Sequence, residues 1–118
     1  MEKEVKEVKN ELEVICRIIR NAVDVDEIRL FGSHAYGTPN KDSDYDLCVV
    51  IPDSGIRPAD AVKAIRRALY PVQSGPMDVV VIRQSRFTER QLTASLERTI
   101  AREGILLYKR ADPEQRMV

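Results

Sequence analysis

The chain has little of the chemistry that marks membrane or nucleic-acid proteins. It lacks tryptophan, only 5% of its 118 residues are aromatic, and its longest apolar run is Leu47 to Ile51. That run is far shorter than the roughly 20 apolar residues of a membrane span, and the charged start MEKEVKEVKNELE is unlike a signal peptide. We therefore expect a cytoplasmic protein without a membrane partner.

The charges balance, because 19 basic and 19 acidic residues give a formal net charge of zero. Non-specific binding of nucleic acid depends on a basic excess, and single strands stack on aromatic side chains. Both features are missing, so nucleic acid is not expected as a direct substrate. The two cysteines, Cys16 and Cys48, have no Cys or His at metal-ligand spacing. They are predicted to be buried, reduced thiols.

The apolar pattern predicts one α/β domain over residues 1–110, followed by a polar tail over residues 111–118. Steps of three and four residues between apolar positions from Val5 to Ala22 indicate a first helix. Strands are predicted at residues 28–31, 45–51, 77–82 and 105–108. Pro58 suits the start of a helix that Pro71 ends, and a last helix carries Leu92, Leu96 and Ile100 up to Gly104. The predicted order is α, β, α, β, α, β, α, with the short strand after it.

Gly32 and Ser33 directly follow a predicted strand. A chain that turns from strand to helix there presents unpaired backbone N–H groups and a hydroxyl, which together bind anions. Taken alone, the same pair is also a turn glycine followed by a helix-capping serine.

Three aspartates follow this turn in the sequence. Asp44 and Asp46 are two residues apart, so along an extended chain their side chains lie on one face. Carboxylates held that close repel each other unless a cation lies between them, which suggests a divalent metal. Asp78 stands among apolar residues of another strand, where it is either a third ligand or a solvated position at a strand edge or end. A calcium-binding EF-hand is excluded, because Leu47 and Asp53 stand where that loop needs glycine and glutamate.

The stretch LFGSHAYGTPNKDSDYDLCVV together with Asp78 resembles the GS, DxD and later D signature of the DNA polymerase β nucleotidyltransferase superfamily. Within it, the chain looks most like the minimal nucleotidyltransferases, the MntA-like antitoxins of HEPN/MNT pairs. The resemblance runs from about residue 28 to residue 82, and more loosely to REGILLYK near the end. Tyr36 stands where many members carry arginine, so neither it nor His34 is assigned a role.

The resemblance implies a small mixed β-sheet flanked by helices and a role for each matching residue. Gly32 and Ser33 would hold phosphates of a nucleoside triphosphate, and Ser43 would fix the turn before the metal ligands. Asp44, Asp46 and Asp78 would bind two Mg²⁺ ions, and Asp78 would also take the proton of the attacking hydroxyl.

The implied function is Mg²⁺-dependent transfer of AMP from ATP to a hydroxyl, a tyrosine, of a HEPN ribonuclease toxin encoded nearby, which makes the chain an antitoxin. Transfer to a protein also follows from size, since 118 residues leave no room for a separate substrate domain. Two alternatives remain open. One is a non-catalytic antitoxin that neutralises its partner by contact; the other is a nucleotidyltransferase subunit that modifies a small molecule or an RNA end.

Overall fold

Helices and strands alternate along the chain, and the computed structural model describes residues 2–32, 45–72, 75, 77–92 and 95–111. The strands are β1 (Glu27–Phe31), β2 (Tyr45–Ile51), β3 (Met77–Arg83) and β4 (Ile105–Lys109). The helices are α1 (Glu2–Ala22), α2 (Pro58–Leu69), α3 (Gln84–Arg90) and α4 (Leu96–Glu103), with a 3₁₀ turn at Tyr70–Val72. All four predicted strands are confirmed, each to within one residue at either end.

The strands form one mixed sheet in the order β3, β2, β1, β4. β1 pairs antiparallel with both β2 and β4, whereas β2 and β3 are parallel. A parallel pair needs a crossover connection, and α2 supplies it between β2 and β3. The α/β fold class, a small mixed sheet flanked by helices, is therefore confirmed.

Helices cover both faces of this sheet. Successive strand residues point to opposite sides, so each strand contributes side chains to both faces. On one face, α1 and α2 pack on the larger apolar cluster, which includes Leu12, Ile15, Ile19, Ile28, Leu47, Val49, Ile65 and Leu69. On the other face, Phe87 of α3 and Ile100 of α4 pack on Cys48, Val50 and Ile82. The first face holds most of the core, and the second face carries Asp46 and Asp78.

The predicted helices α1 and α2 are confirmed, and in α1 Leu12, Ile15 and Ile19 are buried. Pro58 lies at the start of α2, directly after the extended Arg57, where a missing N–H and a fixed φ are tolerated. Ala61, Ile65 and Leu69 of α2 are buried. Cys16 and Cys48 are both free and buried, as expected.

The single helix predicted through Leu92, Leu96 and Ile100 is wrong. Two shorter helices lie in this region, and Leu92 is in a turn with 83% of its surface exposed. The residues before this turn were expected to be merely polar, yet they form α3, which buries Phe87 completely. Ser95 explains why a new helix, α4, starts here. Its hydroxyl accepts a hydrogen bond from the Arg98 N–H at 3.3 Å and so caps the first turn of α4.

Gly104 ends α4 as predicted, but for a different reason than the left-handed backbone usual for such glycines. Its φ is −72°, in the range of any residue. A Cβ at this position would lie 2.5 Å from the Ile100 carbonyl oxygen and 3.0 Å from that of Leu30. Glycine is needed here because two backbone carbonyls leave no space for a side chain.

Some expectations fall outside the described residues: the helix predicted after Ser33, and residues 112–118 of the predicted polar tail. Within the described part of the chain, no helix combines the length and the apolar content of a membrane span.

Candidate active site at one end of the sheet

Strand pairing brings Gly32, Asp46 and Asp78 to the same end of the sheet. Phe31, the last residue of β1, pairs with Asp46 of β2, and Asp46 pairs with Asp78 of β3. Gly32 directly follows Phe31. Neighbouring strands lie about 4.8 Å apart, so three residues that are far apart in sequence occupy adjacent positions.

Asp46 and Asp78 also point to the same face, the one that α3 and α4 cover further along. Paired residues on adjacent strands share a face, and Cys48 and Ile82, which follow at even steps on these strands, belong to one buried cluster. Asp46 is half-buried and Asp78 is exposed. β3 is an edge strand in the described sheet, so the edge position considered for Asp78 is correct, and the same position places it next to Asp46.

Gly32 is held against the side chain of Asp46. Its φ of +77° is a conformation that glycine adopts at no steric cost and other residues rarely adopt. A Cβ on Gly32 would collide with Oδ2 of Asp46 and lie 3.0 Å from its Cγ. The carboxylate therefore occupies the space that a side chain at position 32 would need, and glycine is required for two independent reasons.

The donor set of this site suits a hard divalent cation. Two carboxylates on adjacent strands repel each other, and a bound cation removes that repulsion. Mg²⁺ prefers oxygen ligands and is held by one or two carboxylates plus substrate phosphates. The described residues contain no group of three or more metal-ligating side chains; the third predicted ligand, Asp44, lies outside them. Asp46 and Asp78, the two predicted ligands that are described, thus form a carboxylate pair that suits Mg²⁺.

Tyr45 anchors the start of β2, a role that the sequence did not reveal. Its hydroxyl donates a hydrogen bond to Oε2 of Glu11 on α1 at 3.0 Å. Burial, and secondarily the bond to Glu11, raises the pKa of Tyr45 to about 12, so the phenol remains protonated at neutral pH. The only sequence signal was that an aromatic residue stands between two aspartates. Because side chains alternate along a strand, Tyr45 points to the face opposite to that of Asp46. The bond ties the strand that carries Asp46 to the first helix.

An ion pair lies further along β1 on the same face as Asp46. Nη2 of Arg29 is 2.9 Å from Oε1 of Glu27, and the two side chains are only 17% and 8% exposed. The Arg29 guanidinium lies 5.7 Å from the centre of the Phe87 ring. Cys48, the neighbour of Arg29 in register, is buried, and burial raises the pKa of its thiol to about 12. These side chains form a largely buried layer of the face next to Asp46.

Ser33, Ser43 and Asp44 lie outside the described residues, as do His34 and Tyr36. Their roles stay predictions. Of the six predicted site residues, Gly32, Asp46 and Asp78 are described, and these three lie together.

Two concave surfaces among the described residues lie away from Gly32, Asp46 and Asp78. One, of about 280 Å³, lies where the ends of α1 and β4 meet and is lined by Arg17, Arg20, Asn21, Asp24, Val25, Tyr108 and Arg110. Arg20 stacks on Tyr108 at 4.0 Å, and Arg110 pairs with Asp24 and Asp26. The other is a groove beside α4, lined by Ser95, Leu96, Arg98, Thr99, Arg102 and Glu103. The carboxylate pair, and not either cavity, is the candidate site, because it places two predicted metal ligands beside the predicted phosphate-binding glycine, Gly32.

Known protein structures share this fold. In three-dimensional comparison, a protein of Sulfolobus solfataricus assigned as a nucleotidyltransferase superimposes with a TM-score of 0.61 at 19% identity, covering 86% of this chain and 80% of that one. A toxin–antitoxin structure with AMP-PNP gives a TM-score of 0.53 at 20% identity, covering 92% and 78%. A double Asp-to-Glu mutant of the MntA–HpeT toxin–antitoxin pair gives 0.50 at 18%, covering 91% and 78%. At these identities the likeness establishes the fold.

Sequence comparison identifies the family. No curated protein matches the chain significantly. The family model of the nucleotidyltransferase domain, however, matches residues 8–107, which is most of the chain. The chain therefore belongs to the nucleotidyltransferase domain family, and the predicted transferase class is confirmed.

Proposed function

We propose that this protein transfers AMP from ATP to a tyrosine hydroxyl of a HEPN ribonuclease toxin and thereby acts as its antitoxin. One observation carries the proposal: Asp46 and Asp78 are register partners on one face, directly beside Gly32. Two of the similar structures are toxin–antitoxin complexes, and one of them holds AMP-PNP. These similarities support a nucleotide substrate and a toxin partner.

Each predicted site residue would have its own role in the reaction. Backbone N–H groups at Gly32 and Ser33 would hold the triphosphate, and Ser43 would fix the turn that follows. Asp44 and Asp46 would hold Mg²⁺ on the triphosphate, and Asp78 would join them at a second Mg²⁺. When bound, these ions would offset phosphate charge and lower the pKa of the attacking hydroxyl.

The step itself exchanges one phosphorus–oxygen bond for another. The acceptor oxygen forms a bond to the α-phosphorus, the bond from that phosphorus to the bridging oxygen breaks, and pyrophosphate leaves. The carboxylate of Asp78 accepts the proton of the hydroxyl. Asp78 suits this task because it is exposed at the sheet edge, where an acceptor can approach, whereas Asp46 is enclosed by Gly32.

The acceptor is proposed to be a protein because two of the similar structures are toxin–antitoxin complexes. A cytoplasmic site of action fits the two free, buried thiols. Zero net charge and few aromatic residues speak for a protein acceptor over a nucleic acid.

Intact-mass spectrometry tests the proposal. The chain is co-expressed with the product of the neighbouring gene, and the purified complex is incubated with ATP and Mg²⁺. We expect the partner to gain the mass of one or more adenylyl groups on tyrosine, and we expect no gain with EDTA or with an Asp46→Asn, Asp78→Asn variant.

The opposite result would favour neutralisation by contact. If the partner's mass is unchanged while both the wild type and the double variant still suppress its toxicity, the enzymatic proposal fails. If an added metabolite or RNA end is adenylylated instead, the proposed acceptor is wrong although the transferase chemistry stands.

A further inference from the structure

The open part of the second sheet face begins at Asp78 and continues to Val80. Val80 is 38% exposed, which is unusual on this face because its register neighbour Cys48 is only 1% exposed. The next residue of β3 on the same face, Ile82, is 6% exposed and belongs to the cluster around Phe87. The cover provided by α3 therefore ends between Ile82 and Val80.

Val80 is close enough to Asp78 to contact an acceptor that reacts there. Two residues along a strand place their Cα atoms about 6.6 Å apart, with both side chains on one face. A phenol is rigid, and its ring extends away from its hydroxyl by several ångströms. If the hydroxyl meets the Asp78 carboxylate, a ring directed along β3 lies on Val80.

A single exposed valine elsewhere on the surface would need no explanation. Here the apolar side chain adjoins an exposed carboxylate on an edge strand, so an incoming group meets both at once. A serine side chain and a ribose carry little apolar surface, so each covers much less of Val80 than the ring of a phenol does. Covering apolar surface is favourable in proportion to its area, so this position discriminates between the two kinds of hydroxyl.

We propose that Val80 is the contact surface for the aromatic ring of the acceptor and favours phenolic over aliphatic hydroxyls. This inference rests on the proposed function and specifies the acceptor of the same site. It assigns Val80 to specificity, while Asp78 performs the chemistry.

The most direct test observes the Val80 methyl groups by NMR. The protein is saturated with Mg²⁺ and a non-hydrolysable ATP analogue, and N-acetyl-tyrosinamide or N-acetyl-serinamide is then added. We expect the tyrosine probe, and not the serine probe, to shift the Val80 methyl resonances and to give ring-to-methyl contacts. Val14 is a matched control, because it is a valine of similar exposure, 42%, on α1, which packs on the opposite face.

A kinetic comparison supplies an independent readout. Val80→Thr keeps the shape of the side chain and replaces one methyl group by a hydroxyl, while Val14→Thr makes the same change at the control position. With the co-expressed partner as acceptor, Val80→Thr should lower kcat/KM by about tenfold, the low end of the effect of one apolar group on substrate discrimination. The Kd for the nucleotide should not change, and Val14→Thr should behave as wild type.

Three results would overturn the inference. The first is equal shifts at Val80 and Val14, or none at Val80, with the tyrosine probe. The second is a Val80→Thr variant that transfers AMP as fast as wild type. The third is a concentration-dependent shift of Val80 without any probe, which would assign this edge to a second copy of the chain. Failure of the proposed function is seen separately, as absent shifts of the Gly32 and Asp46 amides when the nucleotide is added.

Discussion

Replacing Gly32 with alanine tests the closest contact in the candidate site. The added methyl group meets Oδ2 of Asp46, and the backbone at this position has a φ of +77°. Both effects act at the end of β1, beside the Asp46 side chain. The substitution is therefore expected to damage function more than folding.

The magnitude follows from two separate terms. Holding alanine in a left-handed conformation costs about 1–2 kcal/mol. The collision is relieved if the Asp46 side chain turns away from its rotamer, which costs about 0.5–1.5 kcal/mol. The free energy of unfolding should thus fall by about 1.5–3.5 kcal/mol, which leaves a typical domain folded. The same rotation moves the proposed metal ligand Asp46, and displacements of about 1 Å can lower rates by about 10²-fold.

Gly55 offers a matched control. Its φ is +104°, and a Cβ built on it meets no atom within 4 Å. Gly55→Ala should therefore lower stability through backbone strain while leaving activity intact. Urea unfolding gives the stability of both variants, and release of pyrophosphate from MgATP in the presence of the partner gives their activity.

The reasoning is refuted if Gly32→Ala keeps full activity, or if Gly55→Ala loses as much activity as Gly32→Ala. A double-mutant cycle provides a second check. Asp46→Ala removes the carboxylate that the new methyl group would meet. The stability lost through Gly32→Ala should then be smaller in the Asp46→Ala background, and equal losses would show that the collision does not occur.

Three further predictions concern other residues of the site and core. Tyr45→Phe removes the hydrogen bond to Glu11 and should lower the free energy of unfolding by about 1 kcal/mol; an unchanged urea midpoint would contradict the anchoring role. Asp78→Asn should lower kcat by at least about 10²-fold with little change in nucleotide affinity; equal loss of both would make Asp78 a ligand of nucleotide-bound metal. Burial raises the pKa values of Cys16 and Cys48 to about 11 and 12. Because the unfolded thiols lose their protons near pH 9 while the folded ones keep them, stability should fall as pH rises from about 9 to 12. The loss should be smaller in Cys48→Ala, and urea midpoints at pH 8 and pH 10 would show it.

Local patterns were enough to locate most secondary structure. The spacing of Leu12, Ile15 and Ile19 predicts α1, and runs of β-branched residues predict β2 and β3, because helices and strands repeat every 3.6 and two residues. The same reasoning failed between Arg83 and Leu96, where short apolar signals are ambiguous. A turn at Leu92 breaks the helix, and Phe87 is buried because a sheet face beneath it needed cover.

The candidate residues were also recognisable, but their geometry was not. Glycine after a strand and aspartates two apart are local features of the sequence. That β2 lies between β1 and β3, and that Asp46 pairs with Asp78, depends on strand order and register. Register is set by packing of whole sheet faces, and a slip of one residue would send Asp78 to the opposite face.

Contacts between distant residues explain the rest. Tyr45 and Glu11 are 34 positions apart. The Asp46 carboxylate has space only because Gly32, which lies against it, carries no side chain. Whether Val80 is exposed depends on where α3 stops covering the sheet. Each of these features arises when separate elements pack together, and short-range sequence spacing carries no information about the surfaces that meet.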